Sequence, residues 1–97
     1  MKTIMVVDED ESVLENIKSV LGKRFNVSTA KTNREAIEAL EEGKVDMLLV
    51  HTSMDGEDVF TPIISSDESK MRVLENTIPR RFNEEELVRF LDIVTSQ

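Results

Sequence analysis

Residues 47–65 read MLLVHTSMDGEDVFTPIIS. The fold turns on how this stretch is divided. Met47-Leu48-Leu49-Val50 is a continuous apolar run, of the kind that forms a strand covered on both faces. It ends on His51, the only histidine in the chain. Apolar residues resume at Val59-Phe60 and again at Ile63-Ile64, on the far side of Pro62. Two divisions compete. In the first, Thr61 to Ser65 is a fourth strand, Ser66-Asp67-Glu68-Ser69 opens a helix running through Leu74, and Thr77-Ile78 is a fifth strand. Only His51 to Phe60 then remains for a crossover, close to the minimum of about ten residues that joins parallel strands. In the second, Val59, Phe60, Ile63 and Ile64 form a helix, and Met71 to Thr77 is the fourth strand. That strand would bury Glu75 and Asn76, and the helix would carry Pro62 inside, both unfavourable. The first division is preferred. Either one leaves a helix region shortened or missing.

Outward from this stretch, strand and helix signals alternate. Ile4-Met5-Val6-Val7 is a second continuous apolar run, followed at once by Asp8-Glu9-Asp10-Glu11. Val13, Leu14, Ile17, Val20 and Leu21 then recur at helical spacing, and Gly22 supplies a stop. Phe25 to Thr29 reads as an edge-like strand. Thr32-Asn33-Arg34-Glu35 is a capping box ahead of a helix whose stripe is Ala36, Ile37 and Leu40. Asn83-Glu84-Glu85-Glu86 opens the last helix, with an Asn cap and acids at the positive end of the dipole. Leu87, Phe90, Leu91 and Val94 give that helix one buried face.

This βαβαβ order predicts a parallel sheet with right-handed crossovers. In such sheets function gathers at the carboxyl ends of the strands. Asp8 and Glu9 stand at the end of the first strand and His51 at the end of the third. If the second strand lies outside the first, two carboxylates and an imidazole share one crevice.

Composition narrows the possible roles. The 97 residues fit one domain, 1–97, and carry a net charge of −8. That balance repels nucleic acid and anionic lipid and favours a basic protein surface or a cation. Four Phe without Trp or Tyr weigh against single-stranded nucleic-acid binding, which uses stacking platforms. Without Cys, thiol catalysis and Zn–thiolate sites are excluded. The opening MKTIMVVDEDES has too short an apolar run for a signal peptide, and no stretch is long enough to span a membrane. A cytoplasmic protein is expected.

Several segments, in order, resemble the receiver domain of two-component response regulators. IMVVDEDESVLENIKSVL resembles the family's opening strand, acidic pair and first helix. NREAIEALEEGKVDMLLV resembles its second helix and third strand. MDG matches the loop beyond its phosphorylation site, and IPRRFNEEELVRFL resembles the end of its fifth strand and its last helix. The resemblance implies a doubly wound, flavodoxin-like α/β/α sandwich with a parallel sheet of four or five strands. It also implies site roles. Asp8 and Glu9 match the acidic pair that helps hold Mg²⁺. His51 falls where the family has its phospho-accepting Asp. Arg80 falls where it has the Lys that contacts the phosphoryl group. Ser66 or Ser65, or Thr77 in the second division, falls near its switch Ser/Thr. Pro79 precedes Arg80, whereas the family's Lys-Pro bond would put Pro at Arg81.

An acyl phosphate needs a carboxylate nucleophile, and Mg²⁺ prefers hard oxygen ligands. With His51 in the acceptor position, the expectation is a degenerate receiver. It would be no enzyme, would bind Mg²⁺ weakly if at all, and would act by phosphorylation-independent protein contacts in signalling or transcriptional regulation. Its partner would be a kinase, an effector domain or a second copy in a homodimer. Two rivals use His51 with Asp8 and Glu9: a phosphorelay receiver, and a metal-binding sensor. The bland reading has Arg80 reaching into the acidic crevice and pairing with Asp8 or Glu9.

Overall fold

A computed structural model describes residues 2–65, 71–73 and 77–95. The chain begins with β1 (Thr3–Val7), α1 (Glu11–Leu21), β2 (Asn26–Ala30), α2 (Asn33–Glu41) and β3 (Met47–Met54). β1 pairs in parallel with β2 on one side and with β3 on the other. The side-chain caps follow the sequence signals. Asp10 caps α1 through the Ser12 N–H, and Thr32 caps α2 through the Glu35 N–H. Asn83 accepts from the Glu86 N–H and donates to the Glu86 carboxylate at the head of α3 (Glu84–Thr95).

Beyond β3 the all-parallel expectation fails. No crossover helix follows. Met54 leads into a two-residue turn at Asp55-Gly56, and the chain returns as β4 (Glu57–Ser65), antiparallel to β3 from Met54↔Glu57 to Met47↔Ile64. Both turn residues have positive φ, 53° at Asp55 and 81° at Gly56. A two-residue hairpin turn of the twist-matching type requires this, and Asp-Gly supplies it cheaply. The hairpin removes the need to fit a parallel crossover into ten residues.

The expected flavodoxin-like parallel sandwich is therefore corrected to a mixed sheet, ordered β2-β1-β3-β4-β5. β5 (Met71–Val73) and β6 (Ile78–Pro79) both pair antiparallel with β4. The helix that the second division placed over Val59, Phe60, Ile63 and Ile64 is instead part of β4, and the strand that the first division placed at Thr61 to Ser65 is the second half of β4, though antiparallel. The helix expected over Ser66 to Leu74 is interrupted by strand at 71–73, and its remaining positions lie outside the described residues.

Pro62 lies on β4 between the stretches that β6 and β5 cover. A two-residue turn makes Met54 and Glu57 a hydrogen-bonded pair, so alternate β4 residues from Glu57 direct their backbone groups at β3. Asp58, Phe60, Pro62 and Ile64 then face the other way, consistent with the Arg80 N–H donating to the Asp58 carbonyl at 2.9 Å. β6 registers with Val59 and Phe60, and β5 with Ile63 to Ser65, so Pro62 falls between them. Neither β5 nor β6 pairs with Pro62, and a residue without an N–H is tolerated at such a position.

The helices lie on both faces. Leu14, Ile17 and Leu21 of α1 and Leu87, Leu91 and Val94 of α3 pack with Ile4, Val6, Leu49, Phe60 and Ile78. Ala36, Ala39 and Leu40 of α2 pack on the opposite face with Val7, Leu48 and Val50.

The hairpin can be tested by the sign of one substitution. Gly56→Ala places a Cβ in the left-handed region and is expected to destabilise the protein by about 1–2 kcal/mol in urea unfolding. A helical Gly56 would show the opposite sign, a gain of about 1 kcal/mol.

Candidate functional site

β4 is antiparallel to β3 and β6 is antiparallel to β4, so β6 runs in the direction of β1 and β3. Its carboxyl end, which leads to Arg80, therefore shares an end of the sheet with Asp8. The Asp8 N–H donates to the Ala30 carbonyl at 3.2 Å, holding the backbone beside β2 one residue past the end of β1. Asp8 Oδ1 accepts from the Asp10 N–H at 2.9 Å, which turns the chain into the cap of α1.

Arg80 closes on Asp8 with a two-pronged contact. Its Nε donates to Oδ2 at 2.9 Å and its Nη2 to Oδ1 at 2.7 Å. The Asp8 side chain is 0% exposed, and that of Arg80 is 25% exposed. This is the planar fork that lysine cannot reproduce. Hydrogen bonding to Asp8 raises the Arg80 guanidinium further above its ordinary value, while burial opposes the shift. The ion pair of the bland reading is thus present, and its acidic member is Asp8.

His51 has a different partner from the one expected. Its Nε2 lies 3.0 Å from Asp58 Oδ1. Its ring stands edge-on to Phe60, with centroids 6.3 Å apart. His51 does line one cavity of about 340 Å³ with Asp8 and Glu9. Neither residue's partner lines that cavity, however: Asp8 is held by Arg80 and His51 by Asp58.

The switch positions do not converge on this end. Ser65 ends β4 opposite Met71, next to the residue paired with Met47, at the far end of the sheet from Asp8. Thr77 is exposed, just ahead of β6, and Ser66 lies outside the described residues.

The residues do not fit the Mg²⁺ that the resemblance implies. Both Asp8 oxygens are taken by a cation, and imidazole is a poor ligand for a hard ion. Among the described residues no group of three or more His, Cys, Asp or Glu side chains could hold a metal ion. None of the helices among them is long and apolar enough to cross a membrane.

Sequence reading missed Asp58, which supports His51 by side chain and Arg80 by backbone. Asp55-Gly56 was the available signal. Read as a hairpin, it sets Asp58 diagonal to His51 on the adjoining strand. Comparison with models of protein families, with curated proteins and with solved structures finds no match to this chain.

Arg80→Ala is expected to destabilise the protein by about 3–5 kcal/mol in chemical unfolding, because it leaves a buried carboxylate uncompensated. The double variant Asp8→Leu/Arg80→Met, which removes both charges, should recover most of that loss. Recovery no greater than additive would show that the pair is not coupled.

The α1 cap gives a pH signature. Hydrogen bonds from Ser12 hold the Asp10 carboxyl below its ordinary value. Its contribution is present above the unfolded value of about 4 and is lost as pH falls through the depressed native value. Asp10→Asn keeps a capping oxygen and removes the charge. Its stability deficit against the parent should therefore shrink as acid unfolding proceeds below about pH 4.

Proposed function

We propose that this chain is a receiver-like interaction module that works without phosphorylation, in signal transduction or transcriptional regulation. The observation that supports the reading is the Arg80 fork on Asp8, in which both carboxylate oxygens are engaged by a cation from the same chain. A receiver-type phosphoryl site would need those oxygens for a metal ion. It would also need a carboxylate where His51 stands. In this proposal the fork takes over structurally what the metal and phosphoryl group would otherwise organise. It fastens the end of β6, and with it the approach to α3, to the end of β1.

The module acts through protein contacts and catalyses no reaction of its own. Its partner is another signalling protein, and its place of action is the cytoplasm. The net charge of −8 supports a partner with a basic surface and disfavours nucleic acid.

Incubation with a small phosphodonor and Mg²⁺, followed by intact mass measurement, tests the proposal. No added phosphate is expected, and millimolar Mg²⁺ should leave the melting temperature unchanged. A stable added phosphate that disappears in His51→Ala would overturn the reading in favour of phosphotransfer.

A further inference from the structure

β3 is longer than the strand beside it. Its register with β1 ends at Val7↔Val50, whereas its pairing with β4 continues to Met54↔Glu57. His51 to Met54 thus overhang the end of β1 with one edge paired and the other without a strand among the described residues. The turn geometry fixes what lies on that open edge. Met54 and Thr52 direct their backbone groups at β4, so His51 and Ser53 direct theirs toward the line of β1. The Ser53 N–H and C=O lie where β1 would continue, and Ser53 is exposed. Past Val7 the Asp8 N–H keeps a last ladder bond to Ala30, and the chain then turns between Asp8 and Asp10 into the cap of α1.

The surroundings of the edge are acidic. Glu9 shares the cavity with His51, Asp55 stands at the tip, and Glu57 is on the returning strand. All three are exposed, and none has an ion pair among the described residues. Of the nearby cations, Arg80 is committed to Asp8 and Lys31 to Glu11, and Arg81 lines a cavity with Glu57 and Asp58 on the outer side of the hairpin. An extended peptide can add to such an edge by main-chain hydrogen bonds. The charge around it selects a basic one. A second copy of this chain would bring its own acidic hairpin to the same place.

We propose that the β3 overhang is a docking edge for a basic, extended segment of a partner protein, which adds as a short strand along His51 to Met54 where β1 stops. This deepens, and rests on, the interaction-module reading.

The test uses the full chain and a fluorescent Lys-Val-Lys-Val-Lys-Val peptide, with Glu-Val-Glu-Val-Glu-Val as its control. Anisotropy should show saturable binding of the basic peptide only, weakening as salt is raised. Ser53→Pro removes the outward N–H without touching the β4 ladder and should weaken binding by about fivefold or more. Glu9→Lys should weaken it through charge alone. In the unmodified protein, saturating basic peptide should slow hydrogen exchange at the Ser53 amide, a readout that does not depend on how Ser53→Pro folds. No binding, equal binding of the acidic peptide, or unchanged Ser53 exchange would overturn the docking edge. Those failures leave the interaction-module reading standing, since that reading falls only to a phosphate carried on His51.

Discussion

A reversal of direction within Asp55-Gly56 governs the second half of the molecule. Two consecutive residues with positive φ send β4 back along β3. Every later strand inherits its direction from that turn. β6 consequently points the same way as β1, and the residue that follows it arrives at the end of the sheet where Asp8 is buried. Had the chain crossed over to a parallel β4, an antiparallel partner on its outer side would have delivered Arg80 to the opposite end. The site is thus a product of topology before it is a product of chemistry.

The chemistry then secures the topology. A carboxylate with no exposed side-chain surface is tolerable only when its charge is matched and its oxygens are satisfied. Arg80 supplies both with one planar group, and the Asp10 N–H supplies a further bond. Such a pair adds little net stability compared with an apolar substitute, but it is exacting about geometry. It also leaves His51 to be supported from the returning strand, through Asp58.

The first half of the fold was legible because its signals are local. The helical stripe of α1, the caps at Thr32 and Asn83 and the apolar runs of β1 and β3 all resolve into the elements they imply. An ion pair of Arg80 with Asp8 or Glu9 was expected from the charge balance and from the resemblance, and the structure selects Asp8. The parallel course of β4 was not, because Asp55-Gly56 carries two meanings. It fits a loop that leads into a helix, and it is also the strongest short hairpin signal. The crowding of a crossover into about ten residues pointed to the hairpin, and Pro62 weighed against a helix in this stretch. Asp58 was invisible until that turn was read, since its role depends on lying diagonal to His51 on the next strand.

The two kinds of strand pairing also differ in how the chain must search for them. The β3–β4 hairpin closes through a two-residue turn, so its loss of chain entropy on closure is small. β1 must find β3 across an intervening helix, strand and helix, a longer closure that slows pairing. Asp8 and Arg80 are farther apart still, 72 residues along the chain. Their contact needs both strand ends already in place. Loop-closure entropy therefore favours an assembly that starts at the hairpin and finishes at the ion pair, so that burial of the Asp8 carboxylate marks the completed fold.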